Sequence, residues 1–584
     1  MSKWRDIYFK QETGQTYKQW TRRQTARQVI DELVNEEQSP YPGRYIADNE
    51  QDGRILFYEH DRQQHIHVLG TTEQGKSTFL EMLMSMDIHM LMDKTLDPPY
   101  QAPFLFIDST RDVKSTTMGK VLKYAIKKGF EKILVIDPSL MNHPDKDLRY
   151  VVPINPLDYN APTEPMAAHV ADTLRVLWNS ADFTQESIIT HNVRFIVEAL
   201  HRGGYTLAEC EQMIFPSLAN QRDQIINNES ISWLTRQELD RIYKTCQDKH
   251  PDRAWVDVQA TLRRFGPFTH SSMKTIFGSK QGVNFQQLIS DGWIILCNLD
   301  KTGTYDKPQQ SLLGTAILNE VIRARERMKG NTTPFYVYID EFSYYVTDKI
   351  ADLLTMGRHL KIYLTLAHQW FWQIDNMPKV KGAVKGGCKS KFLFWTPDED
   401  DVREMIGTMG YGGDITDREI TFVLSALKKR QAAIRINKQL PRICDMRTWP
   451  DIDAEVSDQQ VTEFLKHLFK SNPQLYRRTA EVWGEITHRF ANSKSTTELR
   501  EGRIGRQKKG NFEGSTSRTK NDSTPTGETV SVRQDGTAFE AYFDSRKAAL
   551  NNVSGELPAH EANAKPDGKS KRTRKARKAS PEPT

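Results

Sequence analysis

From Ile55 onward, short runs, most of them continuously apolar, alternate with longer stretches in which apolar residues recur every three or four positions. The short runs are residues 66–69, 104–107, 133–136, 293–296, 335–339, 363–367, 392–395 and 432–436. Apolar runs without polar alternation are expected of strands buried on both faces. The pattern therefore predicts an α/β fold on a mostly parallel central sheet. Between Ile136 and Trp293 the alternation stops. Ile189, Val193, Ile196, Val197 and Leu200 repeat at helical spacing, and Trp255, Val258, Leu262 and Phe265 do so again, so residues 166–268 read as an all-helical insertion. Before about Asn49, Trp20, Val29, Ile30 and Leu33 lay one apolar side along a charged segment, which reads as a helical lead-in. After Pro450, Val461, Phe464, Leu465, Leu468 and Phe469 share one helix face.

Composition alters this picture mainly at the C-terminus. Beyond Asn492 the chain is rich in Ser, Thr, Gly, Asn, Lys and Arg, poor in large apolar residues, and ends in a basic cluster from Lys569 to Lys578. Such a segment cannot bury enough surface to offset its ordering entropy, so a disordered, basic tail is expected. The predicted organisation is a lead-in over 1–49, one α/β domain over 50–165 and 269–450, the helical insertion over 166–268, C-terminal helices over 451–491, and the tail over 492–584. No run approaches the ~20 apolar residues of a membrane-spanning helix, and the N-terminus lacks the apolar core of a signal peptide. The five cysteines form no CxxC pair. These features predict a cytoplasmic protein with ordinary reduced thiols. A net charge of +6 permits a polyanionic partner without requiring one.

Candidate chemistry begins at Gly70-Thr71-Thr72-Glu73-Gln74-Gly75-Lys76-Ser77-Thr78, which fits G-x-x-x-x-G-K-[ST] in full. A predicted strand enters the motif, and a helix carrying Phe79, Leu80, Leu83 and Met86 leaves it. Its glycines let the backbone turn its N–H groups onto phosphates at the positive end of a helix dipole. Lys76 is expected on the β- and γ-phosphates of ATP and Ser77 on Mg²⁺. Hydrolysis needs a second element, and the apolar strand ending in Asp340-Glu341 offers one. Asp340 would hold the Mg²⁺ shell and Glu341 would polarise the attacking water. A third strand ends in His368-Gln369-Trp370. Gln369 there can sense a γ-phosphate or position water, because an amide donates and accepts without titrating, or it can be an ordinary polar strand end.

The order of Gly70–Ser77, Asp340-Glu341 and Leu364-Thr365-Leu366-Ala367-His368-Gln369 resembles the RecA-like motors of the HerA/FtsK group. It is most similar to the TraG/TraD-type coupling proteins of conjugative type IV secretion. The strand ending at Asp108, the passage Ile136-Asp137-Pro138 followed by Ile154-Asn155-Pro156-Leu157, and the turn Gly357-Arg358-His359 resemble the same family. Two departures stand beside the likeness: no membrane-spanning helix is expected from the residues ahead of Gly70, where coupling proteins commonly begin with such helices, and Asp108-Ser109-Thr110-Arg111-Asp112 replaces the family's D-P-K-G-[DE]. The resemblance implies a RecA-like ATPase that translocates DNA as a hexameric ring, with a relaxase and type IV secretion channel components as partners, peripheral to the inner face of the membrane. It also implies an arginine supplied by the neighbouring subunit; Arg358 is the candidate, with Arg323, Arg325 and Arg327 as alternatives, although these three read first as a solvated helix face. A soluble HerA-like processing or defence motor and a nucleotide-gated DNA- or relaxase-binding scaffold are the rival readings. Lys379, Lys381, Lys385, Lys389 and Lys391 either grip phosphates in a channel or form a solvated helix end.

Overall fold

The computed structural model describes residues 41–491 except 50–52, 109–115, 158–161, 175–182, 215–217, 248–252, 300–306, 329, 331, 345–347, 411–416 and 448–451. The expected tail and residues 1–40 of the expected lead-in lie outside the described residues.

Among the described residues, thirteen strands follow in chain order. They are β1 (Arg44–Asn49), β2 (Gly53–Phe57), β3 (Ile66–Leu69), β4 (Phe104–Asp108), β5 (Ile133–Ile136), β6 (Tyr150–Val151), β7 (Ile294–Asn298), β8 (Phe335–Ile339), β9 (Ile362–His368), β10 (Ser390–Phe394), β11 (Gln431–Arg435), β12 (Arg442–Met446) and β13 (Arg477–Arg478). Eleven form one sheet in the order β2-β1-β12-β11-β10-β3-β9-β8-β4-β7-β5. From β10 to β5 every pairing is parallel. Every residue of these seven strands is buried, as continuous apolar runs demand. The remaining four strands are antiparallel and partly exposed.

Each of the eight predicted runs corresponds to one of the sheet strands β3, β4, β5, β7, β8, β9, β10 and β11. Residues 44–49 correct the lead-in, because they form strand β1 and not helix. Its sequence Arg-Tyr-Ile-Ala-Asp-Asn has no long apolar run, and pairing with β2 and β12 supplies what propensity does not. Among the described residues, every element from Thr163–Leu174 to Ser271–Phe277 is helical, with Ile189, Val193, Ile196, Val197 and Leu200 buried along Phe183–Arg202. Near the C-terminus, Asp458–Ser471 begins at a Ser457/Gln460 capping box and buries Val461, Leu465, Leu468 and Phe469. Tyr476 secures this region to the sheet by accepting the N–H of Val135 through its hydroxyl at 2.9 Å.

One polar cluster lies inside the core. Arg62 grips Asp87 with two bonds of 2.6 and 2.7 Å, Arg44 adds a third at 2.9 Å, and the Tyr338 hydroxyl donates to the same carboxylate at 2.6 Å. Burial alone would raise the Asp87 pKa, but Arg62 and Arg44 hold it below the ordinary value. Asp87 belongs to the helix Lys76–Met92 and Tyr338 to β8, so the cluster fixes the helix that leaves the Gly70–Ser77 loop against the strand that carries Asp340.

Candidate nucleotide site

Strand β3 runs fully buried to Leu69, and the chain then turns through Gly70–Gly75 into the helix Lys76–Met92. Two glycines are required here. Gly70 has φ +153°, and a Cβ on it would lie 2.6 Å from the Cβ of Phe394. Gly75, at φ +124°, begins the helix, and its Cβ would lie 3.1 Å from the Phe394 ring. The end of β10 thus presses directly on the loop. Thr71 donates its N–H and its hydroxyl to the Trp395 carbonyl, each at 3.2 Å. Arg430 donates its backbone N–H to the Gln74 carbonyl at 2.9 Å. Thr72 and Glu73 are exposed at the loop's tip.

Lys76 is buried, and its ammonium donates to the Thr71 carbonyl at 3.2 Å. Burial lowers its pKa, while Asp340 and Glu341 oppose that shift. Ser77 donates to Asp340 Oδ2 at 2.9 Å, and Asp340 Oδ1 accepts the N–H of Glu341 at 3.0 Å. Glu341 sits at φ +50°, a conformation that is uncommon and costly for a side chain with a Cβ. That turn swings its carboxylate toward β9, where Oε1 accepts Gln369 Nε2 at 2.8 Å. The tip that bears Gln369 is itself held. Gln373 Oε1 accepts the N–H groups of Gln369 and Trp370 at 3.1 Å, and Asp401 accepts that of Phe371 at 3.0 Å.

Lys76, Ser77, Asp340, Glu341 and Gln369 therefore meet at the C-terminal ends of β3, β8 and β9, three adjacent parallel strands, which is where α/β sheets bind ligands. The donor set fits a magnesium nucleotide. The loop is a glycine cradle that a Cβ would fill, a buried ammonium satisfied by a loop carbonyl stands beside it, and a hydroxyl and a carboxylate share one point.

The arginines lie elsewhere. Arg358 is exposed in the last turn of the helix Asp348–Leu360, hydrogen-bonded to Gln64. It precedes β9, so the length of that strand, on the order of 20 Å at ~3.3 Å per residue, separates it from the site in its own chain. Arg325 corrects the expectation of a solvated face. It is buried, donating at 2.8 Å to the carbonyls of Leu360 and Thr333. Arg323 is part-buried and bound to Glu320 and the Pro156 carbonyl, each at 3.0 Å.

Of the two readings of the lysines, the geometry favours the helix end. Pro378–Gly387 is helical, Lys379 pairs with Asp352 at 3.1 Å, and Lys381 pairs with Asp375 at 2.7 Å and Glu404 at 2.5 Å. Lys391 is buried on β10, closing the helix end by donating to the carbonyls of Cys388 and Lys385 at 2.6 and 2.9 Å. Burial pushes its pKa down to about 8.

Sequence reasoning missed Phe394, Trp395, Arg430 and the pairing of His67 with His368. The strand carrying Phe394 was visible as an apolar run, but its adjacency to β3 is a fact of topology.

No family model and no curated protein matches the chain. Among solved structures it is similar to the bacterial conjugative coupling protein TrwBdeltaN70 in its unbound form, at 12% identity over 70% of this chain and 94% of that one, with a TM-score of 0.47. The plasmid coupling protein TrwB in complex with ADP and Mg²⁺ gives 11% identity over 68% and 88%, at 0.47. VirB4 of Thermoanaerobacter pseudethanolicus gives 12% over 70% and 97%, at 0.45. TrwB is a conjugative coupling protein, the type that the motifs resemble. At these values the functional reading rests on the chain's own residues.

Proposed function

We propose that this chain is a Mg²⁺-dependent ATPase that translocates DNA as a ring of about six subunits, delivering plasmid or mobile-element DNA to a conjugative type IV secretion channel. The observation that carries the reading is the convergence of Ser77 with Asp340 and of Glu341 with Gln369 beside the Gly70–Ser77 cradle. The loop N–H groups and Lys76 bind and orient the triphosphate. Ser77 and Asp340 would hold Mg²⁺, which when bound neutralises charge on the transferring phosphoryl group. Glu341 orients a water and takes its proton, and Gln369 fixes the Glu341 carboxylate through Oε1 and so sets its direction.

Arg358 cannot reach the site of its own chain, and its exposure suits it to act on a neighbour's, as an arginine supplied across a ring interface would. The DNA substrate, the relaxase partner and a place at the inner face of the membrane follow from the family resemblance. No helix among the described residues is long and apolar enough to cross a membrane. The test is the ATPase rate with and without single- and double-stranded DNA, alongside mass in solution. DNA-stimulated turnover in a ring supports the reading. Turnover that DNA leaves unchanged in a monomer would refute the motor, and absence of turnover would refute the enzyme.

A further inference from the structure

The last rung that β3 and β9 share is Leu69 opposite His368. Directly beyond it stand Gly70, which opens the phosphate cradle, and Gln369, which holds Glu341. Two residues before Leu69 and on the same sheet face, His67 brings its Nε2 to 2.8 Å from His368 Nε2. Both rings are buried, at 1% and 0% exposure, with Phe371 edge-on to both and Phe342 edge-on to His368. An N···N distance of 2.8 Å is a hydrogen bond, so one ring donates and the other accepts.

Burial pushes both pKa values down, that of His368 to about 3, with Lys391 adding at His67 and Lys76 and Lys381 adding at His368. The pair is therefore neutral, as a single N–H···N bond requires. Neither ring's Nδ1 has a hydrogen-bond partner in the core. Packing alone does not call for such a pair. Two aliphatic side chains would fill the space without desolvating ring nitrogens.

We propose that His67 and His368 are positioning residues: the bond between their rings locks the tip of β9 to the strand that enters the phosphate loop, so that Gln369 keeps its amide on Glu341. The inference rests on the ATPase reading and concerns the same site. It differs from a packing role in one respect. The histidines act through Gln369, so their loss has no further effect once Gln369 is gone.

The experiment is a double-mutant cycle on the full chain, with kcat, affinity for a fluorescent ATP analogue and thermal melting measured for wild type, His67→Leu, His67→Gln, Gln369→Ala and His67→Leu/Gln369→Ala. His67→Leu is expected to lower kcat about tenfold, the worth of one buried hydrogen bond, while analogue affinity stays within about twofold. His67→Gln carries an amide that can donate or accept at nearly the same reach and restores turnover to within about twofold of wild type. In the Gln369→Ala background, His67→Leu causes no further loss. If His67→Leu does not fold, His67→Asn replaces it in the cycle, since its shorter amide stays polar but does not span to His368. Full turnover in the substituted chain, an equal loss in both backgrounds, or failure of His67→Gln to restore turnover would overturn the inference. A wild type that binds nucleotide without turnover would instead overturn the ATPase reading and the inference with it.

Discussion

Glu341→Gln separates chemistry from binding more cleanly than any other change at this site. The substituted amide keeps an oxygen where Oε1 now accepts Gln369 at 2.8 Å, so the contact that orients the side chain is retained. The backbone strain at φ +50° is the same for both residues. Lys76 and Ser77, the proposed nucleotide contacts, are untouched, and one negative charge beside the proposed triphosphate position is removed. ATP binding should therefore be equal to wild type or slightly tighter. What disappears is a proton acceptor. A positioned general base contributes roughly 10²–10⁴-fold, so steady-state hydrolysis should fall on the order of 10²-fold or more, equivalent to ~2.7 kcal/mol of barrier or above. Phosphate release under saturating ATP and titration with a fluorescent ATP analogue measure the two quantities independently. Turnover within about threefold of wild type would refute the reasoning, moving the base elsewhere and leaving Asp340-Glu341 a structural turn.

Three further outcomes are expected. Lys76→Ala should abolish hydrolysis and weaken nucleotide binding, since the β- and γ-phosphates lose their cation; wild-type turnover would remove the phosphate-loop assignment. Asp87→Ala should destabilise the fold by about 3–5 kcal/mol in a denaturant titration, because the buried Arg62 loses the carboxylate it grips with two bonds and Arg44 keeps only Glu59, and a loss below ~1 kcal/mol would show that the cluster contributes little. Asp401 has its pKa raised to about 6 by burial, with Asp398 and Glu404 adding and the Phe371 N–H and Lys381 opposing. Its stabilising contribution is therefore present below the unfolded pKa near 4 and lost as pH rises through 6. Asp401→Asn, whose amide oxygen can still accept from Phe371, should melt higher than wild type at pH 8, on the order of 2 °C, with the gap closing by pH 4. A gap independent of pH would contradict this.

The core of the fold was legible because seven adjacent strands are buried on both faces, which writes most of each as an apolar run. The antiparallel extension was not. β1 and β2 are half exposed, and β12, Arg-Ile-Cys-Asp-Met, is interrupted by Arg442 and by the exposed Asp445, so none is apolar along its length and each exists by virtue of its partner. In the same way, the lysines from Lys379 to Lys391 look like a phosphate grip on paper. They are spent on Asp352, Asp375, Glu404 and a helix end that lie far away in the sequence or across a turn.

What the sequence determined by itself is the chemistry of each strand end. Gly70–Ser77, Asp340-Glu341 and Gln369 are local patterns, set by backbone freedom, charge and hydrogen-bonding type within a few residues. What only the tertiary structure decided is their meeting: Ser77 with Asp340 and Glu341 with Gln369, together with the Phe394 side chain that makes two glycines obligatory and the His67–His368 bond beneath them. These are contacts between residues up to about 320 positions apart, settled by strand order and register. Register is fixed by the cooperative burial of the whole sheet, a quantity that no short stretch of sequence contains.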